Sequence, residues 1–347
     1  MIAGIELGKH YVQMSVKTDS MKEPESVTWS AGTEEYELST EADLTIDKNA
    51  LFELFRKVWK VLCAYGSKDS IQYLVFCLME DSEQQKENLI KLMRAYDIPL
   101  EKVKFLERTE CFCAYVMNQR PELSAQCALL IENNEERKFL LRKYVGKTRT
   151  TTQVLQVSEK SMKEIFSKHS ISSVFLVGDD FEETWMQEHL ELLKSGKRVF
   201  AGKNLFVNGA VYRGTELAKA TDGYLYLDEQ TVCCDIGILA LKDKTQTVTT
   251  IAFGGKNWKD ADTSVEVMMP EDQTLELYAL PMNGQEKITA KVFLENLPAR
   301  PKKTTRLQVA LKFQSPSKVR YEVKDLGFGE LFPNSGMIYE GELQWEQ

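Results

Sequence analysis

Four carboxylates at the ends of apolar runs are the residues of this chain best placed to do chemistry. Glu6 sits in Gly4-Ile5-Glu6-Leu7-Gly8, Glu132 follows the run 127–131, and Asp179 and Asp180 follow Leu176-Val177-Gly178. If those runs are strands facing one cleft, the carboxylates form either an acidic metal cluster or a set of solvated loop anions, and the second outcome is the commoner. His10 is either an acid/base partner for them or, more commonly, a turn histidine facing water. His169 and His189 lie on polar helix faces and read as surface residues. Cys111 and Cys113 lack the second pair a zinc site needs and read as buried helix thiols. Adjacent Cys233 and Cys234 on a strand point to opposite faces, which argues against a redox pair. Gly254-Gly255 is not followed by a helix, so it marks a turn rather than a phosphate loop. Met268-Met269 is either an adaptable peptide-binding surface or, more commonly, packing within a sandwich. Trp258, in the polar turn Lys256-Asn257-Trp258-Lys259, is the candidate partner-binding aromatic.

Composition narrows what such residues can serve. A chain of 347 residues is long enough for about two domains. Forty-four basic against fifty-two acidic residues give a net charge of −8, and no basic face is concentrated anywhere, which excludes generic nucleic-acid binding. The longest apolar run, 73–79, is too short to span a bilayer, and Glu6, Lys9 and His10 interrupt any leader-like apolar region. Seven cysteines, an odd number without a repeated framework, fit reduced thiols and a cytoplasmic location.

The elements that position these residues follow from periodicity. Two apolar runs around Gly8-Lys9-His10 predict a strand, a tight turn and a returning strand. Residues 19–44 read as loop with at most an edge strand. Asp47 caps a helix whose Leu51, Leu54, Phe55, Val58, Trp59 and Leu62 share one face, and Gly66 stops it. The apolar stretch 71–79 is a strand covered on both faces. Ser82 with Gln85 opens the next helix as a capping box, then a strand at 103–106 leads into a helix at 109–119. Residues 127–131 and 138–144 form a hairpin, with a third strand at 150–157. Ser158 caps a helix, 174–177 is a buried strand, and helices follow at 182–194 and 208–219. The first 220 residues therefore repeat one order of elements twice. After Asp222 the helical period gives way to short alternating runs, the pattern of an antiparallel β-sandwich.

This order, and several strings within it, resemble the actin/sugar-kinase/heat-shock ATPase superfamily, and within it the DnaK-type heat-shock chaperones. Gly4-Ile5-Glu6-Leu7-Gly8 resembles the first phosphate motif, Glu107-Arg108-Thr109-Glu110-Cys111-Phe112-Cys113-Ala114-Tyr115 a Glu-Pro-Thr-Ala-Ala stretch, and Asn208-Gly209-Ala210-Val211 the terminal helix. Asp81-Ser82-Glu83-Gln84-Gln85 resembles the strand-to-helix passage, and Leu176-Val177-Gly178 the strand ending at a glycine pair. Tyr224 to Asp228 resembles the interdomain linker. Asp235-Ile236-Gly237-Ile238, Leu297-Pro298-Ala299-Arg300-Pro301 and Tyr321-Glu322-Val323-Lys324-Asp325-Leu326-Gly327 follow the family's β substrate-binding domain in order. The resemblance implies a mixed α+β and α/β fold: a two-lobed actin-like domain of ribonuclease-H-like repeats at 1–222, a linker at 223–230 and an antiparallel β-sandwich at 231–347. The outer insertions of both lobes have no room here beyond 31–44 and 145–173, and no helical lid is expected after the sandwich.

The same resemblance implies a nucleotide site at Glu6, Gly8, Lys9, Glu132 and Gly178, provided that binding is retained. A phosphate cradle needs bare backbone N–H groups and little negative charge. Here Glu6 replaces Asp, and Lys9 and His10 replace small hydroxyl residues. Asn133-Asn134-Glu135-Glu136 replaces a glycine turn, and Asp179 replaces the second glycine of a pair. A carboxylate ~4 Å from a phosphate charge costs about 4 kcal/mol at an effective dielectric near 20, so two would cancel a micromolar affinity of about 8 kcal/mol. The expectation is a pseudo-ATPase with no cofactor and no metal: a heat-shock-chaperone-like binding or scaffold protein whose partner is a protein or extended peptide, not nucleic acid or membrane. Two alternatives stay open. One is a divergent ATP-dependent chaperone retaining ATP and Mg. The other is a structural self-assembling actin-like subunit, that is, a homo-oligomer.

Overall fold

The computed structural model describes all residues except 31–34, 80–82, 133–136, 147–148, 160, 179–180, 182, 194–196, 221–222, 243–244, 271–272 and 347. The chain divides into two compact units: Met1–Lys143 with Gln153–Gly223, and Tyr144–Thr152 with Tyr224–Gln347.

The first unit contains two lobes. Lobe one runs β1 (Ile2–Leu7), β2 (Tyr11–Lys17), β3 (Glu25–Ser26), β4 (Glu37–Ser39), α1 (Lys48–Tyr65), β5 (Tyr73–Leu78), α2 (Glu83–Ala95), β6 (Val103–Glu107) and α3 (Arg108–Met117). Lobe two runs β7 (Cys127–Glu132), β8 (Arg137–Val145), β9 (Thr150–Gln156), α4 (Met162–Lys168), β10 (Ile171–Val177), α5 (Glu183–Leu193), β11 (Arg198–Ala201) and α6 (Leu205–Lys219). The sheets have matching orders, β3-β2-β1-β5-β6 and β9-β8-β7-β10-β11. In each, the first strand pairs antiparallel with the second, and parallel with the strand that follows the first helix. The duplicated order of elements seen in the sequence is thus a duplicated sheet.

Local signals set many of these boundaries. Asp47 accepts from the amides of Asn49 and Ala50 and so starts α1. β1 and most of β5 and β10 are buried along their length, as expected for strands covered on both faces. Some details differ from expectation. Residues 19–44 contribute two short strands, β3 and β4, both paired with β2. The cap of α4 is Ser161, which accepts from the amide of Glu164, rather than Ser158. β11 was not foreseen: four residues at a sheet edge, none of them buried, leave no apolar pattern to read. The proposed capping box at Ser82 lies outside the described residues.

The last helix of each lobe reaches across to the other. α6 lies against β1, β2 and β5 of lobe one. On α3, Phe112 and Tyr115 meet Phe175 of β10 edge-on, with ring centroids 5.7 and 6.0 Å apart. Where α3 and α6 cross, a Cβ on Gly209 would lie 1.9 Å from the carbonyl oxygen of Cys111. Only glycine fits there without separating two backbones. Gly209→Ala should therefore destabilise the protein by about 1–3 kcal/mol, read as a lower urea midpoint at unchanged m-value. An unaltered midpoint would mean that the helices do not cross this closely. Polar contacts reinforce the crossing: Asn118 Nδ2 donates to Glu216 Oε1 at 2.6 Å, and Arg213 Nε to Glu110 Oε1 at 3.0 Å.

The second unit is an antiparallel sandwich. After β12 (Leu225–Leu227) come β13 (Cys234–Lys242), β14 (Thr245–Ala252), β15 (Thr263–Met268), β16 (Thr274–Pro281), β17 (Ile288–Phe293), β18 (Arg306–Ser315), β19 (Lys318–Gly327) and β20 (Ile338–Gln344). Two four-stranded sheets, β14-β13-β16-β17 and β15-β18-β19-β20, bury alternate side chains such as Leu307, Val309, Leu311 and Val323 in one core. The hairpin tip 144–152 belongs with this unit. There Arg149 Nη2 contacts Asp235 Oδ1 at 2.7 Å, and Thr151 Oγ1 donates to the Met282 carbonyl.

Candidate functional site

Glu6 and Glu132 occupy equivalent places, each at the carboxyl end of its lobe's first strand or one residue short of it, and both are buried. In open α/β sheets that end is where ligands bind. What lies between the two carboxylates here is a side chain of the protein itself. Arg108, the first residue of α3, donates through Nη2 to Glu6 Oε1 at 2.6 Å and through Nη1 to Glu132 Oε1 at 3.2 Å. Its guanidinium also lies 4.6 Å from the centre of the Phe206 ring, at the start of α6. The remaining partners close the cluster. Tyr11 Oη donates to Glu6 Oε1 at 3.0 Å and receives Arg108 Nη2 at 2.6 Å, while Arg137 Nε reaches Glu132 Oε2 at 3.0 Å. Two arginines thus neutralise two glutamates.

The geometry fits arginine specifically. Its planar fork meets two carboxylates at once and stacks on an aromatic face, which an ammonium point charge does not. A cation at the first turn of a helix opposes the helix dipole, so Arg108 needs both anions to remain there. Burial pushes the Glu6 carboxyl above the usual carboxylate range, against the pull of Arg108. Burial would lower the Arg108 guanidinium, but Glu6, Tyr11 and Glu132 together raise it. Burial, then Glu6, also raises the Tyr11 phenol. One oxygen, Glu6 Oε2, and one nitrogen, Arg108 Nε, are buried without a hydrogen-bond partner.

The other expected site residues are turned elsewhere. Gly8 lies beneath Tyr11: a Cβ there would be 2.2 Å from the phenol ring. Its backbone amide donates to the Tyr11 carbonyl at 3.0 Å, so it presents no bare amide to an anion. Lys9 is exposed and pairs with Asp43 at 3.3 Å. His10 faces outward, its Nδ1 3.1 Å from the Ala42 carbonyl oxygen. Gly178 follows β10 with φ 129°, a conformation that favours glycine. Asn133, Asn134, Glu135, Glu136, Asp179 and Asp180 lie outside the described residues. Trp258 is half-buried rather than free on a loop. It packs on the sandwich core, and its Nε1 donates to Gln230 Oε1 at 3.1 Å. His189 is also not a simple surface residue, since its ring stacks on Trp185 at 4.4 Å. The described residues therefore do not fit a magnesium–triphosphate group: both first-strand carboxylates are engaged by Arg108, the first glycine is covered, and the nearby lysine points to Asp43.

Sequence reasoning quoted Arg108 without assigning it a role. The signal was present. Proline is favoured at the first position of a helix and stands there in the resembled motif, whereas an arginine there is unfavourable unless anions hold it.

These observations define the first unit as a two-lobed α/β domain with duplicated sheets, crossed terminal helices and an internal arginine that joins the first strands of the two lobes. Residues 30–229 match the family of unknown function (DUF5716) C-terminal, and residues 231–345 match a domain of unknown function (DUF8552). The chain belongs to the first of these families. No curated protein matches it. Solved structures with a similar course include the Aquifex aeolicus Ppx/GppA phosphatase, type II variant, at 8% identity over 55% of this chain and 71% of that one, TM-score 0.33. YeaZ from Pseudomonas aeruginosa is similar at 7% identity over 63% of this chain and 92% of that one, TM-score 0.34. Neither family description names a heat-shock protein, so that narrower likeness rests on motif order alone.

Proposed function

We propose that this chain is a non-catalytic binding or scaffold protein, chaperone-like in layout, in which a pseudo-ATPase domain is joined to a sandwich that holds a partner polypeptide. The observation that carries the reading is the Arg108 guanidinium bridging Glu6 and Glu132. An internal cation at that point neutralises the carboxylates that would otherwise hold a metal, and it is tethered, so no exchangeable ion competes with it on equal terms. Thermal melting with ATP or ADP, with and without magnesium, tests this. A nucleotide at ~100 times its dissociation constant would add about 2.7 kcal/mol of stability, and the expected result is no shift. Micromolar Mg-ATP binding with turnover in a calorimetric titration would overturn it.

A second reading, a divergent ATP-dependent chaperone, is favoured by one observation: Glu6 Oε2 and Arg108 Nε have no partner, so the plug is incompletely satisfied. In that reading Arg108 withdraws when nucleotide enters, and Glu6→Ala abolishes a measurable hydrolysis.

A further inference from the structure

The sandwich has four edge strands: β14 and β17 in one sheet, β15 and β20 in the other. Three of them carry charge, through Lys291 on β17, Glu266 on β15, and Glu340 and Glu342 on β20. Charged residues on an edge oppose pairing with another chain. β14 reads Thr-Gln-Thr-Val-Thr-Thr-Ile-Ala and has none. It is rich in β-branched residues, which favour strand pairing, and its first five residues are exposed, with Val248 at 41%.

Its partner β13 pairs with β16 only as far as Ile238, whereas β13 and β14 stay paired to Lys242 and Thr245. Beyond Ile238 the hairpin is therefore a two-stranded ribbon with one edge of β14 unpaired among the described strands. Such a ribbon is marginal alone in water and gains from a further strand.

We propose that β14 is a self-association edge, on which a second copy of this chain lays its own β14 antiparallel about a twofold axis. Two copies of an uncharged strand meet without like charges opposite one another. Antiparallel pairing uses the same edge of both copies, so it closes at a dimer instead of growing into a filament. An acidic or basic foreign segment would find no complementary charge on this strand.

Sedimentation velocity of the full chain over a concentration series tests the proposal, together with amide exchange at the two ends of the series. The expected result is a monomer–dimer equilibrium, with slower exchange at high concentration in residues 245–250. Val248→Lys puts two lysines near the axis and should weaken association at least ~tenfold. Phe293→Lys, on the opposite edge strand and also exposed, should leave it unchanged. Both variants place lysine at exposed positions, and equal melting temperatures establish that they fold. A wild-type chain that stays monomeric throughout overturns the proposal. So does a dimer indifferent to Val248→Lys, or β14 protection that arises only on adding an unrelated extended peptide.

Discussion

Arg108→Ala should lower the stability of the protein by about 3–5 kcal/mol, the usual cost of removing one member of a buried ion pair. The loss does not measure how strongly the arginine attracts its partners. It arises because Glu6 is left as a buried anion without a cationic partner, while Glu132 keeps only Arg137; their side chains are 1% and 2% exposed. The pH dependence gives the prediction its sign. The Glu6 carboxyl already sits above the ordinary range through burial, so the folded state holds its proton more tightly than the unfolded chain. Stability linked to that proton is present at low pH and lost as pH rises through the folded value. Without Arg108 the carboxyl rises further. The deficit of the variant should therefore be largest near pH ~7 and shrink towards pH ~5. Denaturant unfolding at the two pH values measures it. A companion variant, Arg108→Met with Glu6→Gln and Glu132→Gln, removes the three most buried charges and leaves the half-buried Arg137 in reach of water. It should recover most of the loss, because apolar or neutral replacement of buried charges together is often close to neutral. If that variant is as unstable as Arg108→Ala, the charges are not what Arg108 compensates.

Asp325 is the second position where a single atom exchange should have a large effect. Its side chain is 0% exposed and meets Arg300 in a bidentate pair, Nη1 to Oδ1 and Nη2 to Oδ2, each 2.8 Å. Oδ1 also accepts from the amide of Gly327, and Oδ2 from the amide and hydroxyl of Ser335. Arg300 further donates to the Pro333 carbonyl at 2.6 Å, so one carboxylate ties two loops to the end of β19. Asp325→Asn keeps the shape but removes the charge, and should cost about 3 kcal/mol. Arg300, first among the causes, then Ser335 and Gly327, hold this carboxyl well below the usual range against the effect of burial. A depressed folded value means stability that is present above the unfolded value, near pH ~4, and is lost as pH falls through the folded one. The gap between wild type and Asp325→Asn should therefore be constant from neutral pH down to pH ~4 and narrow below it. A gap that widens on acidification would show that the Arg300 pair does not set the protonation of Asp325.

Arg300 and Asp325 stood in the quoted strings Leu297-Pro298-Ala299-Arg300-Pro301 and Asp325-Leu326-Gly327, yet nothing in either string says that the two meet. The same holds for Arg108, whose partners Glu6 and Glu132 are 102 and 24 residues away. Sequence reading placed Glu6 and Glu132 near one cleft and judged it unsuited to a triphosphate by counting negative charge. At these two residues the structure shows carboxylates neutralised by internal arginines, while the loop anions that entered the count lie outside the described residues. The surroundings of Lys9 and Trp258 were likewise not legible: the turn lysine pairs with Asp43, and the loop tryptophan is half-buried against the sandwich core.

What the sequence determined by itself was everything governed by neighbours a few positions apart. The Asp47 cap, the apolar face of α1, the buried runs of β1 and β5, the alternation along β18 and β19 and the repeated order of elements all express local backbone preference and hydrophobic period. Only the tertiary structure decided which charges meet, how closely α3 and α6 cross at Gly209, and which sheet edge is left without charge. Those outcomes depend on groups brought together from distant parts of the chain, where burial strips away water and makes the identity of one opposing side chain decide whether a carboxylate is a ligand or a structural anion.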